Sequence, residues 1–388
     1  MRHERIDNWP TAAEYLKTTR PDDPVYFFSP RRLCATHLFF SDIFPGTVTY
    51  AVKANDHVDV LRTLAQAGMT AFDVASVVEM AKVRSVSPNA QLHYHNPVRS
   101  QSEIAIAKTF GVRSWSIDCL AELDKLGDLP PCSEIAVRFK LPMQGAAYDF
   151  GEKFGTTPEN AASLLRAVVA RGFVPCLTFH PGTQCTDVEA WARYIHEAAR
   201  IAEAAQVRIA RLNVGGGFAS DRGAEMPDLE KSIEHIAMTH AKVFASTLPE
   251  LVCEPGRSMV ANSFAVGLCV KAIRPDGSLI LNDGIYGALA EWRDMMAVGS
   301  RLIAVYSADG TPKTSASRPR VVFGPTCDSL DRVDQQIALP NDIEEGDYIV
   351  IQGMGAYSLS LACGFNGYGQ GAVVKTRIFK DCALDFDI

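Results

Sequence analysis

The stretch VTYAVKAN, residues 48–55, reads as an apolar β-strand that ends in a lysine, Lys53, flanked only by small and apolar residues. Alternation with a period of two sends one face of such a segment into a core. A charged ammonium in that setting is costly unless it is paired or chemically neutralised. The reading of this stretch is therefore a strand whose C-terminal end carries a buried lysine for a chemical reason.

The same form recurs along the chain. Strands are expected at 47–54, 71–76 (AFDVAS), 91–96 (QLHYHN), 114–118 (SWSID), 134–141 (EIAVRFKL), 176–182 (CLTFHPG), 209–217 (IARLNVGGG) and 251–257 (LVCEPGR). Helical patterns with start signals lie between them. Ser76 with Glu79 and Ser100 with Glu103 have capping-box spacing, and Thr157 before Pro158 reads as an N-cap with proline in the first turn. From Asp187, apolar residues return at Val188, Trp191, Ile195, Ala198 and Ile201, the spacing of a helix covering a sheet. Eight strands alternating with helices fit an α/β fold of the (β/α)8 barrel type, which needs roughly 200 residues or more. A doubly wound open sheet is the alternative, because periodicity does not say whether a sheet closes.

In such a barrel the chemistry sits at the C-terminal strand ends. Polar residues are expected there and nowhere else along the strands: Lys53, Asp73, His95, Asn96, Asp118, Arg138, His180, Gly215 to Gly217, Glu254 and Arg257. After residue 262 the pattern turns to β-rich segments separated by Pro, Gly and Asp, with no long helix between them. The expected organisation is a barrel over 28–262 and an all-β domain over 263–388, with 1–27 packing on the latter. The segment PVYFF, 24–28, either joins that domain or leads into the barrel.

Composition narrows the function classes. The chain has 388 residues, 47% hydrophobic and 21% charged, and a net charge of −7. No run of like charge suggests a nucleic-acid or anionic-membrane surface, so small molecules are the expected partners. Ten cysteines are scattered without a C-x-x-C pair, and Cys176 and Cys253 sit inside apolar runs. That reads as reduced thiols in a cytoplasmic protein without a zinc framework. The first ten residues, MRHERIDNWP, carry no apolar signal segment, and no membrane span is indicated.

The glycines of NVGGGF, at the end of the seventh strand, form either a tight turn or a place where backbone amides approach an anion. The G-x-G-x-x-G spacing and a Walker lysine are both absent, which argues against nicotinamide and P-loop nucleotides. CEPGR on the next strand adds Arg257, a donor suited to phosphate. A phosphate cradle, a strand-end lysine and the carboxylate of Glu254 are the set that pyridoxal 5'-phosphate (PLP) requires: a Schiff-base lysine, a partner for the pyridine nitrogen and phosphate donors. Held as an imine, Lys53 buries no bare ammonium.

The chain resembles the fold type III PLP-dependent decarboxylases of basic amino acids, the ornithine, lysine, arginine and diaminopimelate group, almost end to end. YAVKAN is similar to the Schiff-base segment and FDVAS to the second-strand motif. YDFGEKFG follows the fifth strand, and FHPGTQ is similar to the histidine segment. NVGGGF and CEPGR match the phosphate and pyridine elements, FGPTCDSLD the cysteine segment and GAY, 355–357, a tyrosine element. The resemblance implies that Lys53 carries the cofactor, Glu254 pairs with the pyridine nitrogen and His180 stacks on the ring. It implies Thr183, Gly215, Gly216, Gly217, Arg257 and Tyr357 as phosphate ligands, with Asp73 and Arg138 also in the cofactor site. It further implies a homodimer with shared sites, in which Cys327 reprotonates Cα in the partner's site and Asp328 holds the substrate's distal amine. From the residues alone Cys327 reads as a buried hydrophobe.

Within the family, Cys-Asp at 327–328 resembles the ornithine and lysine enzymes, so the implied reaction is decarboxylation of L-ornithine to putrescine or of L-lysine to cadaverine. Tyr286, in NDGIYG, and Asp294 are further candidate substrate contacts. Two departures stand out. HPGT, 180–183, replaces the usual His-Val-Gly-Ser, and in ALAEWRDMMAVG, 288–299, Asp294 serves as the usual second aspartate only if the loop is realigned, with Arg293 beside it. A diaminopimelate or modified amino acid decarboxylase, a racemase on the same barrel and a catalytically silent binding homologue are the alternatives.

Overall fold

The computed structural model describes residues 9–141, 153–221, 227–294 and 301–378, without the side chains of Arg293, Asp294 and Ile378. The described residues fall into two compact units. One holds 35–220 with 227–259, the other Asp221 with the described parts of 1–34 and 260–388.

The first unit is built on a nine-stranded parallel sheet. Its segments are Gly46–Val48, Tyr50–Ala51, Ala71–Val74, Gln91–Tyr94, Ser114–Ile117, Glu134–Arg138, Val174–Thr178, Arg211–Asn213 and Glu250–Cys253. The ninth segment arises because the expected first strand is divided at Thr49. Its Gly46–Val48 half pairs with Glu250–Cys253 and its Tyr50–Ala51 half with Ala71–Val74. The amides of Thr49 and Ala51 donate to Cys253 O (2.9 Å) and Pro255 O (3.3 Å), so both halves run along the last strand. One divided strand thus joins the last to the second and closes the barrel, which removes the open-sheet alternative.

Helices follow the strands where the start signals place them. Ser100 and Glu103 form a complete capping box. At Ser76 the box is half made: its hydroxyl accepts from Glu79 N, but the Glu79 carboxylate takes Ala75 N instead. Thr157 caps Pro158–Ala170, and Val188–Ala205 buries Trp191, Ile195, Ala198 and Ile201 as the spacing predicts. Several strands stop earlier than expected. The seventh is only Arg211–Asn213, because Gly215 (φ 68°) and Gly217 (φ 85°) turn the backbone out of the ladder.

Polar residues are not confined to the C-terminal strand ends. His93, Ser114, Ser116 and Glu134 are buried within strands. At the opposite end of the barrel Glu134 binds Arg113 (3.0 Å) and Arg211 (3.1 Å), while Arg211 also reaches Glu250 (3.0 Å). This ladder of charges ties four strands together, as expected of the face of a barrel that serves stability.

In the second unit Phe264–Ile273 is the organising strand. It pairs antiparallel with Val25–Phe28, Tyr348–Gln352 and Leu279–Leu281. Val25–Phe28 is fully buried and also pairs with Ala372–Ile378, so PVYFF belongs to this sheet. Ala12, Leu16, Val25, Phe27, Ala265, Tyr306, Tyr348 and Val350 form its core, each large apolar side chain contributing about 1.5–3 kcal/mol. Trp9–Thr11 and Ile337–Pro340 are strands that the sequence pattern did not reveal. Among the described residues no helix is long and apolar enough to cross a membrane.

Candidate active site

Lys53 departs from the expectation of burial. The strand stops at Ala51, and Val52–Ala54 forms a single 3-10 turn in which Val52 and Ala54 are buried but the Lys53 side chain is 47% exposed. Successive residues of a 3-10 turn point about 120° apart. Two apolar neighbours therefore anchor the turn while the lysine projects from it, and its Nζ lies 3.7 Å from Asp73 Oδ2.

Behind the lysine is a buried polar cluster. His95 Nδ1 is 2.5 Å from Glu254 Oε1, and His95 Nε2 is 2.9 Å from Ser114 Oγ. Asn213 Nδ2 donates to the same Glu254 oxygen at 2.5 Å, and Asn213 Oδ1 accepts from Gly215 N at 2.8 Å. Burial alone raises the Glu254 pKa, but His95, Lys53 and the Asn213 amide together hold it well below the usual carboxylate range. Asp73 goes the other way: burial, reinforced by the nearby Glu254 charge, pushes it up to about 6 against the pull of Lys53. Two neighbouring carboxyls are thus driven apart, Glu254 ionised and Asp73 ready to take a proton. Asp73, His95 and Glu254 bring ligand-type atoms within 4.8 Å of one another. Since both His95 nitrogens are engaged by Glu254 and Ser114, the arrangement suits a hydrogen-bonded carboxylate better than a metal cage.

The glycine loop lies beside this cluster. A Cβ on Gly215 would stand 2.3 Å from Phe179 O, on Gly216 2.7 Å from Glu254 O, and on Gly217 2.3 Å from Gly182 O. Only glycine allows the loop to pass this close to its neighbours, and its backbone stays bare of side chains. His180 Nδ1 accepts from Gly182 N at 3.1 Å, which leaves Nε2 as the protonated nitrogen of a neutral ring. Burial, with the charges of Arg138 and Lys53, lowers its pKa to about 3. Arg138 ends its strand, its guanidinium 5.4 Å from the Phe154 ring centre. Arg257 is buried at the start of a short helix, and Thr183 is half-buried in the loop after the sixth strand.

The remaining sequence-derived candidates belong to the second unit. The Tyr286 hydroxyl donates to Asp328 Oδ2 at 2.5 Å, and this bond, with Leu330 N, lowers the Asp328 pKa. Cys327 is exposed, which corrects its reading as a buried hydrophobe. Its amide donates to Asn366 Oδ1 at 3.1 Å, and Phe365 lies against Tyr286 with ring centres 5.1 Å apart. Tyr357 is half-buried with a left-handed backbone, φ 57°. The side chain of Asp294, and residues 148–152 of YDFGEKFG, lie outside the described residues.

Asn213, Ser114, Phe365 and Asn366 were not among the expected site residues. Asn213 was detectable as a polar residue two positions before the glycines. Asn366 sits in a loop, GFNGYG, with no periodicity to expose it.

The donor set of the barrel unit fits PLP. It offers an accessible amine, an ionised buried carboxylate for a protonated pyridine, a bare glycine loop and a buried arginine for a phosphate. A family model described as pyridoxal-dependent decarboxylase, pyridoxal binding domain, matches residues 31–261. Ornithine decarboxylase 2 of Drosophila melanogaster is 33% identical over 366 residues, covering 90% of this chain and 89% of that protein. Among solved structures, the arginine decarboxylase of Paramecium bursaria Chlorella virus is similar with a TM-score of 0.84 and 25% identity, covering 93% of this chain and 98% of that one. The lysine decarboxylase of Selenomonas ruminantium has a TM-score of 0.81 and 26% identity, covering 97% and 98%. With the family model spanning more than half its length and a full-length relative at this identity, the chain belongs to the pyridoxal-dependent decarboxylase family.

Proposed function

We propose that this protein is a PLP-dependent decarboxylase of a basic L-amino acid, L-ornithine or L-lysine, acting as a homodimer with shared sites. The observation that carries the reading is the convergence of Lys53, the ionised Glu254 and the Gly215–Gly217 loop at one end of one barrel. PLP, when bound, supplies an electron sink for the negative charge left at Cα as carbon dioxide departs. Lys53 tethers the cofactor, and Glu254 keeps a proton on the pyridine nitrogen. His180, held neutral, offers a flat uncharged face. The glycine-loop amides, Thr183, Arg257 and Tyr357 bind the phosphate, while Asp73 and Arg138 set the charge around Lys53. Cys327 delivers a proton to Cα, and Asp328, oriented by Tyr286, accepts from the distal ammonium. The Asp328 carboxylate favours a diamine product. Ten scattered cysteines without a C-x-x-C pair support a reducing, cytoplasmic setting.

The test is carbon dioxide release from a panel of L-ornithine, L-lysine, L-arginine and meso-diaminopimelate by the PLP-loaded protein, with the amine product identified by chromatography. Putrescine or cadaverine is expected. Release from none of the panel by a protein that has taken up PLP would sink the decarboxylase reading. Preference for diaminopimelate would overturn the substrate assignment alone.

A further inference from the structure

His95 has no part in the roles above, yet its Nδ1 lies 2.5 Å from the carboxylate assigned to the pyridine nitrogen, as close as the Asn213 amide. We infer that His95 is a positioning residue that, braced by Ser114, holds Glu254 ionised and oriented toward the cofactor's ring nitrogen. The inference rests on the proposed role of Glu254 and adds to it the device that makes the role work.

A carboxylate only accepts, so the proton between the two groups at 2.5 Å belongs to His95 Nδ1. Nε2 is then fixed by the Ser114 hydroxyl at 2.9 Å, which locks the ring plane. Asn213 places its amide on the same Oε1, leaving Oε2 as the oxygen that neither donor takes. The surroundings would otherwise disfavour a second charge. Glu254 and Asp73 are both buried, and the cations that face the pair are Lys53 and Arg138. His93 packs against the His95 ring with centres 5.5 Å apart and is held uncharged by burial, and His180 is neutral as well. Neither of those rings donates to the Glu254 carboxylate. Among the described residues, the direct donors to its carboxylate are His95 and Asn213, and His95 alone of the two is anchored on a neighbouring strand by a second hydrogen bond at its far nitrogen.

The test uses the full chain loaded with PLP labelled with 15N in the ring, whose chemical shift reports whether the pyridine nitrogen is protonated. The wild type is expected to show the protonated nitrogen and Glu254→Gln the neutral one. His95→Ala and His95→Phe, the second keeping the ring's bulk, should move the signal toward neutral and weaken PLP binding roughly 10- to 100-fold, the loss expected of one hydrogen bond to a buried charge. His95→Gln, which keeps an N–H donor, should restore most of the wild-type shift. A merely structural histidine would lower the melting temperature without moving the 15N signal. If the wild type takes up no PLP, or Glu254→Gln leaves the signal where it was, the functional reading fails. If Glu254→Gln moves the signal and the donor-free His95 variants do not, the inference alone is overturned. Failure of both donor-free variants to fold, with His95→Gln folded, would also overturn it by making the donor a requirement of the fold.

Discussion

Lys53 Nζ stands 3.7 Å from Asp73 Oδ2, a half-exposed cation beside a buried anion. The pair does not behave as a simple salt bridge, because burial and the Glu254 charge outweigh the lysine and raise Asp73 to about 6. An acid whose folded pKa is raised stabilises the fold fully below its unfolded pKa, and that contribution is lost as pH rises through the folded value. Asp73 therefore favours the folded apoprotein near pH 3.8 and below, and the effect disappears by about pH 7. The neutral histidines 93 and 180 act with the opposite sign, since their lowered pKa values make stability rise with pH up to the ordinary histidine range. The difference between wild type and Asp73→Asn isolates the aspartate. The melting temperature of Asp73→Asn relative to wild type should climb between pH 4 and pH 7, and a flat difference would show that Asp73 titrates normally.

The exposure of Lys53 on its turn leads to a covalent test. Borohydride reduction of the PLP-loaded protein should leave the cofactor on the peptide that contains Lys53, and Lys53→Ala should abolish the adduct. An adduct that survives and maps to another lysine would displace the whole site.

Gly217 is a point where the fold meets the proposed phosphate site. Its φ of 85° is unfavourable for any residue with a side chain, and an added Cβ would meet Gly182 O at 2.3 Å. Gly217→Ala should cost about 2 kcal/mol or more in urea unfolding and weaken PLP uptake as the loop moves. A variant that binds PLP like wild type would show that the close approach is a turn requirement unrelated to phosphate.

Legibility in the sequence followed the physics of each element. The barrel strands were readable because each is a short apolar run bounded by turn residues, and Val188–Ala205 because one face repeats every three to four residues. Trp9–Thr11 and Ile337–Pro340 are too short to show a period, and both contain proline, which ordinarily argues against a strand. The division of the first strand at Thr49 was hidden, since only the ladder to the last strand reveals it. At the candidate site, residue types singled out Lys53, Glu254 and the glycines. The exposure of Lys53 depends on the 3-10 turn, and the link between His95 and Glu254 spans 159 positions, a distance that no local pattern reports.

Assembly can be tested by complementation. Under the proposed roles, a Lys53→Ala homodimer would lack its tether at both sites and a Cys327→Ala homodimer its proton donor at both. If sites are shared across a two-fold interface, random mixing makes about half the dimers hybrids with one intact site, so recovery should approach about 25% of wild type. No recovery despite demonstrated subunit exchange would mean that each chain works with its own Cys327.

The proposed substrate choice rests on Asp328, whose carboxylate is held by the Tyr286 hydroxyl at 2.5 Å and by Leu330 N at 2.9 Å. Both donors favour the ionised form and fix its direction, so a distal ammonium would meet a charge already in place. Asp328→Ala should lower kcat/KM for the diamine-forming substrate on the order of a hundredfold, because the substrate's cation then loses its charged partner. PLP affinity should not change. For an amino acid of the same length without the terminal amine, the loss should shrink, since its unchanged wild-type partner would have no cation to pair with. Tyr286→Phe, which keeps the ring against Phe365 and removes one hydrogen bond to the carboxylate, should cost about tenfold on the same substrate. Equal losses on both substrates in Asp328→Ala would make Asp328 structural, and Arg293 would become the residue to test with acidic or acylated amino acids.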